Sequence, residues 1–444
     1  MIRKKKIVVT GTGVVTALGC DAETLWSALL AKKSAVKNIV FPDVEMDQYS
    51  SHVGAPVDTF DILDFFENDK GVKRYGRVTN FALAASRRAI ENAGYKFNIT
   101  RNESGRLSYI IDDPDLTRWG IVLGIGVQNM DICEKYHDLH LKHNGPKKVS
   151  PFALPFIPTN TVPAMVTEKF GIRGPSFALS TACSSGTHAI LTAVALLQNE
   201  LIDAVVAGGA DACMTPYVFG GFDAMRAISS RNDDPDTASR PFDKNRDGFV
   251  MGEGCGILII ETEDHAKKRG AKILAEVAGG AMTSDAFHIT IPDPEGTSAI
   301  AMLKTAMEQA GVSKDEIGYI NAHGTSTPLN DPTESYVIKK VFGDRAYKIP
   351  VSSTKSMLGH TIGGSGGIEA IVGIKTILTG TIHPTRNLVD PDIDFVDPKY
   401  PDLDKRCDLD YVPNEPRRKT VDVVLSESFG FGGHDSAVII KRYE

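Results

Sequence analysis

The sequence predicts a layered α/β protein made of two similar halves. Short apolar stretches bounded by glycine alternate with stretches whose apolar residues recur at helical spacing. Strands this uniformly apolar are buried on both faces, and buried strands alternating with helices imply two sheets with helices on their faces. Four stretches of the second half also follow four of the first in the same order. KILAEVAGG at 272–280 matches the opening strand with its glycines, and GYINAHG at 318–324 matches GIVLGIG at 120–126. Residues 351–374 match 177–190, and VDVVLSESFGFGG at 421–433 matches DAVVAGG at 203–209. The expected halves are 1–271 and 272–444.

Taken in order, residues 6–10 form a strand that enters a turn at Gly11-Thr12-Gly13. A dinucleotide fingerprint fails there, because Thr16 replaces the third glycine and no ribose-binding acid follows. Residues 22–31 are helical, and Lys73–Arg77 (KRYGR) opens a helix over 78–93 that Gly94 ends. The polar stretch 98–117 reads as a surface insertion loop. A buried strand (119–126), a helix (131–142), the loop KKVSPF at 147–152 and a helix near 161–170 follow. Then comes FALSTACSSGTHAI at 177–190, a strand running into a helix that extends to about residue 200, and a further buried strand at 203–209. The polar segment 229–248 ends in a run with calcium-loop spacing at Asp243, Asn245 and Asp247, but position twelve is Gly254 and no flanking helices exist. A calcium site is rejected.

At 444 residues the chain exceeds one ordinary core, and its 42% hydrophobic and 24% charged content is that of a soluble globular protein. A net charge of −7 argues against a general nucleic-acid binder, which needs a concentrated basic face. The six cysteines form no CxxC pair, which suits a reducing compartment without disulfides or a zinc cluster. No apolar run is long enough to span a bilayer. The basic opening MIRKKK runs directly into a strand, so the expected address is the cytoplasm, with a processed organellar form as the alternative. The glycosylation sequons at Asn98 and Asn102 carry no meaning without secretion.

The chemistry centres on Cys183. A cysteine at a helix start faces unpaired backbone N–H groups and the positive dipole end, and both favour thiolate. The competing reading is a buried structural cysteine. In α/β folds active sites gather at strand C-terminal ends, and three more polar clusters stand there: NAHGTSTP at 321–328, TKSMLGH at 354–360 and FGFGG at 429–433. Each has a plain explanation as a local hydrogen bonder, a solvated lysine or a bend. Cysteine with one histidine suggests a thiolate–imidazole hydrolase or transferase. Cysteine with His323, His360 and Lys355 suggests a covalent acyl carrier beside neutral donors for an oxyanion or enolate, with Gly432 and Gly433 letting backbone N–H groups approach a thioester oxygen.

The motifs STACSSG, NAHGTSTP, STKSMLGH and FGFGG, in this order, resemble those of the β-ketoacyl-[acyl-carrier-protein] synthases, of the elongating kind with two catalytic histidines. The similarity extends over nearly the whole chain, including TGTGVVTALG and RPFDKNRDGFVMGEG. It implies a thiolase-like fold of two similar halves in a five-layered α-β-α-β-α core, and a homodimer. Cys183 is then the acyl-accepting nucleophile. His323 and His360 hold the malonyl thioester carbonyl and stabilise the enolate left by decarboxylation, and Lys355 supports His360. The N–H groups of Cys183 and Phe431 form the oxyanion hole, Phe431 gates the acyl pocket, and Thr325 and Thr327 bind the phosphopantetheine arm. Substrates ride on acyl carrier protein; no metal, redox cofactor, nucleic acid or membrane is implied. Lys73, Arg74, Lys147, Lys148 and Arg226 lie where family members dock the acidic carrier, against the reading that they are ordinary solvated charges. Residues 124–130 are the expected rim of the acyl pocket.

The C-terminal motif departs from the family pattern, which has amides where this chain has Glu427 and Asp435. A carboxylate cannot donate as an amide can, and a buried one takes up a proton. The stretches 98–117 and 395–406 are longer than usual. His323 with His360 argues against a priming synthase, which carries His and Asn, and against a thiolase, which uses a second cysteine. A non-catalytic chain-length partner would lack Cys183. The principal alternative to fatty acid elongation is a polyketide or specialised-lipid ketosynthase with the same site.

Overall fold

A computed structural model describes residues 5–42, 44–67, 69–101 and 106–444. The first half supplies strands β1 (Ile7–Thr16), β2 (Trp119–Gly124), β3 (Ser176–Leu179), β4 (Ala204–Asp211) and β5 (Gly254–Thr262). The second supplies β6 (Ala275–Ser284), β7 (Tyr319–Asn321), β8 (Val351–Ser352), β9 (Val423–Gly430) and β10 (His434–Lys441). They form one ten-stranded sheet in the order β8-β7-β9-β10-β6-β1-β5-β4-β2-β3. From the middle outwards, each half has two antiparallel pairings and then two parallel ones. The matched stretches therefore occupy matching places: β6 with β1, β7 with β2, β8 with β3 and β9 with β4.

Two expectations about the sheet need correcting. The halves do not make separate ladders, because β1 and β6 join them through Val8↔Glu276 and Val9↔Ala275. Nor is there a turn at Gly11-Thr12-Gly13: β1 runs straight through, buried along its whole length. Those glycines answer a close approach. A Cβ on Gly11 would lie 2.1 Å from the Ala89 carbonyl oxygen of the crossing helix, and one on Gly13 would lie 2.0 Å from that of Ala85.

Six helices cover the sheet: α1 (Arg77–Asn92), α2 (Thr161–Phe170), α3 (Ser185–Gln198), α4 (Thr297–Ala310), α5 (Asn330–Phe342) and α6 (Ser365–Thr379). One core packs α1 and α2 on the outer face of the first half, and another packs α4 and α5 on that of the second. Helices α3 and α6 touch strands of both halves and share a third core between them. This is the five-layered arrangement. It explains why α6 is buried from Ser365 to Ile377, since a helix apolar on every side must lie between two apolar faces.

The stretch 98–117 is not a plain loop. Phe97–Arg101 and Leu107–Ile111 form an antiparallel hairpin, with Tyr109 and Ile111 turned into the core at period two. Its tip, residues 102–105 with the Asn102 sequon, lies outside the described residues. Among the described residues no helix is long and apolar enough to cross a membrane.

Candidate active site

Cys183 follows β3 in a short 3₁₀ turn, Ala182–Ser184, that leads into α3. Ala182 takes a left-handed φ of +51°, a strained position for a residue with a Cβ. In the second half Ile362 repeats this at +49° ahead of α6, so Gly363 stands where Cys183 stands in the first. Buried Asp211 ties the second turn to the stretch that follows β2, accepting N–H groups from Gly126 (3.0 Å), Val127 (2.8 Å) and Gly363 (2.6 Å).

Three strand ends bring the other groups to Cys183. His323 leaves β7, His360 follows the short helix after β8, and Phe431 lies between β9 and β10. Cys183, His323, His360, Thr325, Thr327, Phe431, Gly433 and Arg226 all line one cavity of about 330 Å³. The two imidazoles stand edge to face with ring centroids 5.3 Å apart. Nδ1 of His323 and Nε2 of His360 are buried without a hydrogen-bond partner, while Nδ1 of His360 lies 3.1 Å from Ser365 Oγ. Burial, Lys355 and His360 hold His323 well below the usual histidine range, and burial and Lys355 do the same to His360. Both rings are neutral at neutral pH.

Lys355 sits behind this wall, with its ammonium bonded to the Glu369 carboxylate and neither side chain more than 3% exposed. The thiolate expected from the helix start is not found. Burial pushes the Cys183 thiol up to about 12; Lys355 and the N–H groups of Phe431 and of Cys183 itself pull it down, and Asp211 pushes it further up. Desolvation by Phe249, Ile362 and their neighbours outweighs the helix terminus. The two N–H groups act on the sulfur itself.

Gly432 is not part of the cavity lining; its N–H donates to the Ile289 carbonyl at 2.7 Å. Thr325 and Thr327 share a hydroxyl–hydroxyl bond of 2.9 Å. Of the five basic residues, only Arg226 reaches this cavity. Lys73 and Arg74 line a second groove with Arg106, Lys135 and Ser150, and Lys147 and Lys148 are exposed on the 3₁₀ turn Pro146–Lys148. Residues 124–130 do not line the cavity either, although Val127 packs in the apolar cluster around Cys183.

Sequence reasoning missed Glu334, Glu369 and Asp211, and it singled out Glu427 and Asp435 only as departures from the family pattern. Glu334 on α5 accepts the N–H groups of His323 (2.6 Å) and Gly324 (2.8 Å). Glu427, fully buried, faces Glu334 and has no donor to either oxygen. Burial first, then the charge of Glu334, raises Glu427 well above the carboxylate range, so it keeps a proton. Asp435 likewise is pushed up to about 8, by burial and then by Asp285. The sequence signal for Glu427 and Asp435 was their departure from the amide pattern; Glu334, Glu369 and Asp211 gave none.

Fold and site together define a thiolase-like acyl-transferring enzyme. The model of the beta-ketoacyl synthase N-terminal domain matches residues 4–266, and that of the C-terminal domain matches 274–389. The chain belongs to the beta-ketoacyl synthase family. It is 40% identical to a 3-oxoacyl-[acyl-carrier-protein] synthase 2 of Coxiella burnetii, covering 99% of both chains. It is 41% identical to one of Synechocystis, covering 100% of this chain and 99% of that one. Among solved structures, a beta-ketoacyl synthase from Burkholderia phymatum superimposes with a TM-score of 0.85 at 31% identity, over 99% of this chain and 100% of that one. A type II polyketide ketosynthase, in complex with its acyl-carrier protein and bound to a hexaketide, gives 0.85 at 30% identity over all of both chains.

Proposed function

We propose that the protein lengthens acyl chains by decarboxylative condensation with malonyl-[acyl-carrier protein], as an elongating synthase of fatty acid synthesis. The observation that carries this reading is the convergence on a single cavity of one buried thiol and two neutral imidazoles, each with a buried ring nitrogen left without a partner. The acyl carbonyl carbon on the pantetheine sulfur is attacked by the Cys183 sulfur, with its oxygen held by the N–H groups of Cys183 and Phe431. The pantetheine sulfur leaves and takes up the thiol proton. Malonyl-carrier then enters, and its thioester oxygen is held by His323 and His360. Loss of carbon dioxide leaves an enolate whose carbon attacks the acyl-cysteine; the Cys183 sulfur departs and is reprotonated. Loss of carbon dioxide drives the step, so no metal or redox group is assigned one. Neutral imidazoles suit the task because each donates an N–H without a proton to lose to the enolate. Ser365 Oγ fixes the His360 ring at Nδ1 and leaves Nε2 without a protein partner. Lys355, paired with Glu369, compensates the charge that develops.

Thr325 and Thr327 are the groups we assign to the pantetheine arm. Arg226 at the cavity mouth is the first contact we assign to the acidic carrier, with Lys73, Arg74, Lys147 and Lys148 as outlying ones. The free edge of β3, last in the sheet, and the exposed Phe152 and Leu154 support a homodimer. We divide the halves at residues 271 and 272, in the link between β5 and β6. A nucleophile that must stay reduced, in a chain whose six cysteines are all unpaired, suits the cytoplasm.

Cys183→Ala tests the assignment: condensation is lost while decarboxylation of malonyl-carrier survives. Loss of both overturns the division of roles. A polyketide reading rests on the hexaketide-bound relative. Mass spectrometry of the intact enzyme with mixed acyl-carriers separates the two, since a polyketide enzyme fails to load straight-chain acyl groups on Cys183.

A further inference from the structure

The loop between β9 and β10, which carries Phe431, is held against the segment that follows β6. Two backbone bonds join them, from Gly432 N–H to the Ile289 carbonyl at 2.7 Å and from Asp285 N–H to the Gly433 carbonyl at 2.9 Å. Gly433 permits this contact with a φ of +71°. Beside them one hydroxyl lies between two carboxyl groups, an arrangement that two ionised carboxylates would disfavour. Ser298 Oγ, at the start of α4, bonds to an oxygen of Asp285 and lies 2.9 Å from Asp435 Oδ2. A hydroxyl has one hydrogen. If Ser298 donates to Asp285, Asp435 must donate to Ser298, and it can do so only as the acid.

The surroundings favour that proton. A small cavity of about 20 Å³ beside Asp435 is lined by Asp285 and Asp293 from the β6 segment and by Asn330 and Glu334 from α5. Asp293 N–H adds a bond to Asp285 at 3.1 Å. Glu427 also acts on Asp435 from β9, and His434 precedes it on β10. No lysine or arginine lines that cavity among the described residues. Ionising Asp435 would therefore leave two carboxylates sharing one donor, with further acids around them and no cation to offset them.

We propose that Asp435, Ser298 and Asp285 form a proton-dependent clasp that positions the Phe431 loop, closed while one carboxyl keeps its proton and released when both ionise. The clasp rests on reading Phe431 as the gate between Cys183 and the acyl pocket. Asp435 is a positioning residue, since it acts through the loop. An amide at 435 would donate without a titratable proton, so this chain differs from the family pattern in making the closure depend on pH.

Hydrogen exchange by mass spectrometry on the full chain tests it, with acyl loading of Cys183 read on the same samples. In the native protein, exchange over 285–297 and 430–435, corrected for intrinsic chemistry, should rise about tenfold between about pH 7 and about pH 9. Asp435→Asn should remove that rise, and Ser298→Ala should give fast exchange at both pH values. Loading in the native protein should accelerate with pH more steeply than in Asp435→Asn, which shares its Cys183 titration. Equal exchange in native and Asp435→Asn proteins at both pH values overturns the clasp. Exchange that follows the expected pattern while loading does not differ overturns Phe431 as the gate.

Discussion

Glu334 holds His323 by its backbone: one carboxylate oxygen accepts the His323 N–H at 2.6 Å and the other accepts that of Gly324 at 2.8 Å. Glutamine offers one acceptor oxygen in place of two. Glu334→Gln should lower kcat by about tenfold to a hundredfold through a misplaced imidazole, with KM for malonyl-carrier little changed. Steady-state kinetics beside an unchanged circular dichroism spectrum checks this.

Lys355 and Glu369 form a buried ion pair, with neither side chain more than 3% exposed. Removing one partner strands the other charge, so Lys355→Met should cost about 3–5 kcal/mol of stability. Adding Glu369→Leu should restore most of the Tm but not the activity, because the positive charge behind His360 is still missing. Paired melting and turnover measurements on the single and double variants separate the two roles.

The resting thiol at Cys183 should alkylate slowly. With its ionisation pushed up to about 12 by burial, the labelling rate by iodoacetamide near neutral pH should fall below that of a free cysteine and climb steeply in alkali. In Lys355→Met the climb should shift to still higher pH, since Lys355 is the largest influence favouring the thiolate. Intact-mass kinetics follows both.

A polar network far from the cavity should set the alkaline limit of stability. Burial lowers the pKa of His265, but its contacts with the Asp113 and Glu261 carboxylates outweigh it and raise the ring to about 9. The folded value lies above the unfolded one, so this contribution is complete below about pH 6.5 and disappears as pH rises through about 9. Tm should fall across that window, and His265→Gln should flatten the fall.

Much of the architecture was legible because strand ends and helix starts carry local signals. The period of apolar residues located β2, β4, α1 and α2 within a few residues, and the repeated order of motifs foretold the matching halves. Glycine was ambiguous. At Gly11 and Gly13 it allows a helix to approach a strand, yet it reads the same as a turn. The hairpin formed by Phe97–Arg101 and Leu107–Ile111 was hidden because its inward residues, Tyr109 and Ile111 with the half-buried Phe97 and Leu107, are scattered through a polar stretch. The state of Cys183 was misread because desolvation comes from side chains distant in sequence, whereas a helix terminus is visible locally. Glu334 acts on a residue eleven positions before it, and Asp211 on one 152 positions after it. No local pattern encodes either.

That last contact also orders the birth of the enzyme. Asp211 is finished only when the Gly363 N–H reaches it at 2.6 Å, so during synthesis the stretch at Gly126 and Val127 that it also holds waits for the later half of the chain. A nascent first half exposes the apolar face of α3 that α6 later covers, and it has no histidine pair to meet its thiol. The nucleophile therefore meets its histidines and the Phe431 loop only through residues made after it.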